Sequence, residues 1–177
     1  MKLQNYRANL DRGASRFTEV LWIFTKAVFF MPSMPLPSRL RVWLLRLFGA
    51  TIGEGVVIRS RVNITFPWRL SIGDYSWIGD GAEILNLADV SIGKNCSISQ
   101  QAYLCTGSHN FLVDDFTLIT EPIAIEDECW VTARSFVAPG VTMRRGSMCA
   151  AGSVVVKDVA SGQIVGGNPA KLIRSVS

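Results

Sequence analysis

The sequence predicts an all-β repeat: short parallel strands wound into about five coils of triangular cross-section, with a helical extension before them and a short tail after. Three observations carry that prediction. After Gly49 the aliphatic residues recur every six positions, at Ile52, Ile58 and Ile64, at Ile72, Ile78 and Ile84, at Ile92, Ile98 and Leu104, and again from Ile125 through Val131, Val137, Met143 and Cys149 to Val155. Four positions after most of these comes a small or modest side chain, among them Val56, Ser76, Ala82, Cys96, Ala102, Ser108, Cys129, Ser135 and Ser153. The phase slips by two residues after each of the first two sets of three hexapeptides, before Ile72 and before Ile92, so 52, 72 and 92 are equivalent positions. Neither the helical period nor simple strand alternation produces this spacing.

Three hexapeptides closing one triangular turn account for all three features. The aliphatic residue points into the prism and stacks on its equivalent one coil away, while the small residue fits the tight corner. Successive coils pair as parallel strands about 4.8 Å apart, which satisfies backbone groups that a lone coil leaves open. Gly directly after Ile, at Gly53, Gly73, Gly79 and Gly93, is expected to relieve the backbone at a turn. The coils are read as 52–69, 72–89, 92–109, 125–142 and 143–160, with one long interruption, 110–124, directly after His109.

Three segments follow from the change of period: an N-terminal extension with two helices (1–51), the β-helix (52–161) and a tail (162–177) that leaves the repeat. Residues 1–16 are polar and basic with little periodicity. From Phe17 to Phe48 the pattern is helical, broken by Pro32, Pro35 and Pro37. Ser38 is the expected N-cap of the second helix and Gly49 its C′ residue. Leu40, Trp43, Leu44 and Leu47 recur on one side of it, with Arg39, Arg41 and Arg46 marking the other. Phe17 to Met31 is the most apolar stretch. At 15 residues, with Glu19 and Lys26 inside, it falls short of the roughly 20 apolar residues a spanning helix needs. It reads as a helix packed on the protein or a neighbouring subunit, with a membrane-surface helix as the alternative.

Composition excludes several function classes. The 177 residues are 49% hydrophobic and 18% charged, which rules out a disordered tail. His109 is the only imidazole, so a zinc hydrolase needing two or three cannot be built within one chain, and no metal is expected. Cys96, Cys105, Cys129 and Cys149 lack zinc-finger spacing. With nothing resembling a signal peptide, they read as free thiols in a reducing cytoplasm, at the inner face of the membrane if the apolar helix lies there. The net charge of +4 is scattered, with no basic block interleaved with aromatics, so no nucleic-acid partner is expected.

The stretches LRLFGATIG (Leu45–Gly53), FPWRLSIGDYSWIG (Phe66–Gly79), SISQQAYLCTGSHNF (Ser97–Phe111), PIAIEDECWVTARSFVAPGV (Pro122–Val141) and AAGSVVVKDV…GNPAKLI (Ala150–Ile173) resemble the hexapeptide-repeat acyltransferases, whose fold is a left-handed parallel β-helix. Within them the chain resembles the colanic-acid-type (WcaF-like) exopolysaccharide acetyltransferases. The resemblance implies acetyl transfer from acetyl-CoA to a sugar hydroxyl by direct transfer, in a homotrimer whose sites lie between subunits. It departs from the family where aliphatic–Gly doublets give way to Val131-Thr132, Met143-Arg144 and Cys149-Ala150.

His109, in TGSH before the one long interruption, matches the family's general base, and an imidazole titrates near neutral pH. A coil edge is expected to hold it rigidly. The oxyanion donor is expected to be a backbone N–H from a coil facing it. Cys105, four residues earlier, raises a Cys–His acyl-enzyme alternative, weighed against a small strand filler. By the same resemblance the CoA contacts are Trp130, Ala133, Ala151, Gly152, Ser153, Lys157, Lys171 and Arg174, and the acceptor contact is Asn86. Each has a plainer reading: corner filler, turn-forming Asn, solvated Lys. Asp114 and Asp115 read as solvated loop residues. An N-acetyltransferase on an amino sugar and a non-catalytic β-helix scaffold are the competing functions. Carbonic anhydrases of this fold use three His on zinc, which one His per chain excludes.

Overall fold

The structure, a computed structural model, describes residues 1–7 and 9–176. The expected parallel β-helix is present, with three faces. The first is Thr51–Ile52, Leu70–Ile72, Val90–Ile92, Ile123–Ile125 and Thr142–Met143. The second is Val57–Ile58, Trp77–Ile78, Ser97–Ile98, Trp130–Val131, Met148–Cys149 and Gln163–Gly167. The third is Asn63–Ile64, Glu83–Leu85, Tyr103–Cys105, Phe136–Val137 and Val154–Val155. The register places the six-residue positions one above another: Ile52 on Ile72 on Ile92 on Ile125 on Met143, and likewise Ile58 through Val131 to Cys149. All are buried, and these stacks are the core.

The prism has about six turns rather than five. Val159 bridges Met143, and Ile164 and Val165 pair in parallel with Met148 and Cys149, so the segment expected to leave the repeat begins a sixth rung. Only then does the chain reverse, with Ala170–Ser175 returning antiparallel along Gln163–Gly167. Valine at 159 and 165 keeps an inward aliphatic at these positions, but the spacing no longer falls on the six-step run, which hid the extra rung.

Gly after Ile has a different cause from the one expected. Gly73 and Gly79 do not have positive φ. A Cβ on Gly73 would lie 2.7 Å from the Gly93 carbonyl carbon and 2.8 Å from the Lys94 nitrogen; one on Gly79 would lie 2.7 Å from the Gln100 nitrogen. The requirement is close approach of the next coil's backbone. Gly73→Ala is therefore expected to lower stability by about 1–3 kcal/mol, the usual cost of overpacking. An unchanged denaturant midpoint would contradict the close packing.

The first coil would expose strand edges on all three faces, and the N-terminal helices cover them. Helix α1 is Arg16–Phe29, started by Ser15, whose Oγ accepts from the Thr18 N–H at 3.1 Å; α2 is Ser38–Leu47. On the first face Arg46 donates to the Ile52 carbonyl at 2.7 Å. On the second, the Ile58 N–H donates to Ser38 Oγ at 2.7 Å. On the third, the buried Trp22 indole donates to the Ile64 carbonyl at 3.1 Å. Ser38 thus serves the prism rather than capping its own helix, and Pro37 stands at the N-cap without a side-chain bond. Gly49, at φ +90°, follows the helix as expected. Arg41 is not on the solvent side. It is buried and donates to the carbonyls of Phe29, Met34, Leu36 and Ile58 at 3.0–3.4 Å, tying the Pro-rich link to the first coil.

Candidate active site

The two-residue slips all fall at one corner, between the third and first faces. In the first coil it holds the turn Pro67–Arg69; in the second, Asn86 to Asp89; in the third, a long excursion. That excursion starts earlier than the sequence spacing suggests. Gly107–His109 already pairs antiparallel with Leu118–Thr120, forming a β-hairpin arm, and Ile123 is back in the core. Ser108 is consequently exposed instead of filling a corner. Thr106, fully buried, fixes the base of the arm: its Oγ1 donates to the Leu85 carbonyl at 2.8 Å and accepts from the Ala88 N–H at 3.1 Å.

His109 therefore sits on the arm, not on a coil edge, and other contacts hold it. Its Nδ1 lies 2.9 Å from the Phe116 carbonyl oxygen. A carbonyl only accepts, so Nδ1 carries the proton and Nε2 keeps a free lone pair. The ring stacks on Phe116 at 4.2 Å and 3° between planes, and Tyr6 packs edge-on at 5.4 Å. Phe116 has φ +50°, an uncommon conformation for a bulky residue, at the point where its carbonyl faces the imidazole. The first residues brace the same arm: the Lys2 N–H donates to the Asp114 carbonyl at 2.7 Å, and Lys2 Nζ lies 3.2 Å from Asp114 Oδ2. Asp115 accepts from the Thr117 hydroxyl. Sequence reasoning missed Phe116 and Tyr6. A backbone carbonyl leaves no residue-type signal, and Tyr6 stands in a segment without periodicity.

The other candidates divide by position. Ala133, Ala151 and Gly152 come together at the corner between the second and third faces, lining a groove of about 550 Å³ with Arg61, Gln101 and Arg134. A Cβ on Gly152 would meet nothing within 4 Å, so the groove floor is open there. Arg134 Nε donates to Gln101 Oε1 at 2.8 Å; neither residue was singled out from the sequence. Trp130 stands on the second face, 48% exposed, its indole donating to Ser99 Oγ. Lys171 and Arg174 lie exposed on the returning strand. Lys157 is exposed at the arm's corner, two coils beyond it. Two candidates are enclosed. Ser153 is fully buried, its hydroxyl bonded to the Ala150 carbonyl inside the prism. Asn86 is fully buried, its amide accepting from the Phe66 N–H at 2.9 Å and donating to the Phe66 carbonyl at 2.5 Å. It clips two coils together and offers no face to an acceptor. Among the described residues no cluster of His, Cys, Asp and Glu could hold a metal.

The thiols fit the filler reading. All four cysteines are free and buried. Burial pushes Cys96 up to about 11 and raises Cys129 and Cys149 as well. Cys105 Sγ donates to the Gly107 carbonyl at 3.2 Å, while His109 Nδ1 is engaged with Phe116. Cys105→Ser is expected to retain substantial activity, and intact mass after mixing with acetyl-CoA should show no adduct. A stoichiometric acetyl adduct on Cys105 would overturn this reading.

No family model matches the chain. Among curated proteins it is 44% identical over 163 residues to "Putative colanic acid biosynthesis acetyltransferase WcaF" of Escherichia coli, covering 92% of this chain and 90% of that one. It is 28% identical over 151 residues to the galactoside O-acetyltransferase of Escherichia coli, covering 84% and 74%. Among solved structures it superposes on a hexapeptide-repeat acetyltransferase of Vibrio cholerae complexed with acetyl coenzyme A, with TM-score 0.84, 27% identity and coverage of 93% and 92%. A galactoside acetyltransferase in complex with coenzyme A gives TM-score 0.81 at 25% identity, covering 91% of this chain and 82% of that one. With the six-residue core register, the His-bearing arm and these relatives together, the chain belongs to the hexapeptide-repeat acyltransferases, in the WcaF-like branch, and is an acetyltransferase.

Proposed function

We propose that this acetyltransferase carries an acetyl group from acetyl-CoA to a sugar hydroxyl in exopolysaccharide biosynthesis, with His109 as general base. The observation that carries the assignment is the Nδ1 hydrogen bond to the Phe116 carbonyl, which leaves Nε2 as the basic atom. In the proposed step Nε2 takes the proton of the acceptor hydroxyl as its oxygen bonds to the thioester carbonyl carbon. The C–S bond breaks, and the imidazolium returns that proton to the departing sulfur. Bound acetyl-CoA supplies the activated acetyl group. The small side chains of Ala133, Ala151 and Gly152 suit the close approach of its pantetheine arm, with Arg134 and Arg61 near its charged end. Trp130, Lys157, Lys171 and Arg174 remain proposed contacts.

The arm and the groove belong to different corners of the prism, separated by the whole third face. One subunit does not bring them together. A homotrimer does, with the arm of one subunit laid against the groove of the next, and three equivalent sites follow from one repeated contact. Phe111 and Leu112, 67% and 80% exposed at the arm's tip, give that contact an apolar anchor.

The test is thiol release from acetyl-CoA across a panel of neutral and amino sugars, with products identified by mass and base lability. An O-acetyl ester on a neutral sugar is the expected product. Acetylation confined to the nitrogen of an amino sugar would overturn the hydroxyl reading, and no thiol release with any sugar would overturn the acceptor class.

A further inference from the structure

Helix α1 is amphipathic in the inverted sense. Its mid-helix charged residues, Glu19 and Lys26, turn toward the protein. Lys26 Nζ donates to Asn63 Oδ1 at 2.8 Å, and the Glu19 carboxylate, largely covered, accepts from Arg12 at 2.8 Å. Trp22 on the same side fills the end of the prism. The opposite side presents Phe17, Val20, Leu21, Phe24 and Val28 to solvent, with Phe17 78% and Phe24 67% exposed. At 100° per residue these five fall within about one third of the helix circumference, with no charged residue among them. Helix α2 separately exposes Trp43 and Leu47, beside Arg39 and Arg46 on the same side of that helix.

The charge is as uneven as the polarity. Residues 1–48 hold eight Lys and Arg against two Asp and Glu, whereas residues 49–177 hold ten against twelve. All the net positive charge of the chain is therefore on the segment that carries the apolar face. Arg7, Arg16 and Arg39 make no ion pair among the described residues, while Arg46 is held by the Ile52 and Gly53 carbonyls. An apolar stripe bearing aromatic side chains, with Arg16 beside it, matches the composition of a helix lying in a lipid–water boundary. At 14 residues α1 is about 21 Å long and no described helix is long and apolar enough to cross. A second copy of this face would set like charge against like, whereas an anionic bilayer attracts it.

We infer that the outward face of α1, on a segment of net positive charge, docks the enzyme on the surface of a bilayer carrying anionic phospholipid. Docking there holds the enzyme in the plane where a membrane-bound acceptor would be presented.

The experiment is flotation of the full chain with vesicles of phosphatidylcholine and phosphatidylglycerol, with phosphatidylcholine vesicles as comparison. Flotation with the anionic vesicles is expected, weaker in high salt and at least about tenfold weaker without phosphatidylglycerol. Phe17→Glu/Phe24→Glu, at two solvent-facing positions, should lose it by a similar factor while light scattering shows an unchanged oligomer and thiol release persists. Arg16→Glu/Arg39→Glu, which leaves the apolar face intact, should weaken binding to anionic vesicles only. Failure of the native chain to float, or retained flotation in the double Glu variant, would overturn the inference. A fall in oligomer mass in that variant, with native vesicle binding absent, would assign the face to a subunit contact instead.

Discussion

His109→Ala is expected to lower kcat by about 10²–10⁴-fold while leaving coenzyme A affinity within a few fold, the range for loss of a positioned general base. The size follows from the site's economy. The chain has no second imidazole, and the arm's carboxylates are engaged, Asp114 by Lys2 and Asp115 by Thr117. Fold is expected to persist, because His109 is on an arm outside the stacked core. His109→Gln separates shape from basicity: it fills the site without restoring proton transfer, so it should be nearly as slow. A purified His109→Ala enzyme that keeps most of its kcat would end the assignment. Phe116→Ala keeps the backbone carbonyl but removes the stacked ring, and should cost less, about tenfold, through looser positioning.

Arg41→Met is the most destabilising single change expected, about 3 kcal/mol, or more than a hundredfold in the folding equilibrium. The guanidinium serves four carbonyls: Phe29 at the end of α1, Met34 and Leu36 in the link, and Ile58 on the open strand edge, of which Met34 also accepts from the Leu36 N–H. Methionine matches much of its volume but donates nothing. Lysine at the same place cannot span four acceptors from one ammonium, so Arg41→Lys should recover only part of the loss. Urea unfolding measures both. A Met variant within 0.5 kcal/mol of the native protein would show that the link is not held this way.

The prism was legible because its constraint repeats. Each inward position sees the same neighbours one coil above and below, so the aliphatic choice recurs every six residues and any phase slip shows. Features set by one contact across the fold were not. Arg41 reads as a solvent-side arginine because the carbonyls it reaches come from a Pro-rich link with no pattern of its own. Ser38 reads as a cap because that is what serine does locally, while the bond it makes is to Ile58. The glycines after Ile were found by pattern but explained by turn geometry, when the next coil's backbone is what excludes a Cβ. Coil counting ended one rung early for a similar reason: Val159, Ile164 and Val165 pair correctly, but out of step with the run that precedes them.

The candidate site shows the same division. His109 stood out by type, uniqueness and its place before the interruption, and the small residues at 133, 151 and 152 by their match to a family pattern. The arm's true start at Gly107 was hidden because Ser108 keeps the small-residue rhythm while the backbone has already left the prism. Asn86 was misplaced for want of depth: a polar residue near a corner reads as a ligand contact, yet its amide is consumed by Phe66.

Mixed oligomers test the shared site most directly. His109→Ala removes the base from the arm, and Ala151→Trp fills the corner groove on an exposed turn outside the core. Each variant alone is expected to be nearly inactive. Co-expressed or dissociated and reassembled together, they form some sites in which a native arm from the Ala151→Trp chain meets a native groove from the His109→Ala chain. The account predicts recovered acetyl transfer that rises with mixing and fits the number of such sites. Demonstrated subunit exchange with no recovery, or a monomer active at the full rate, would contradict a site built from two subunits.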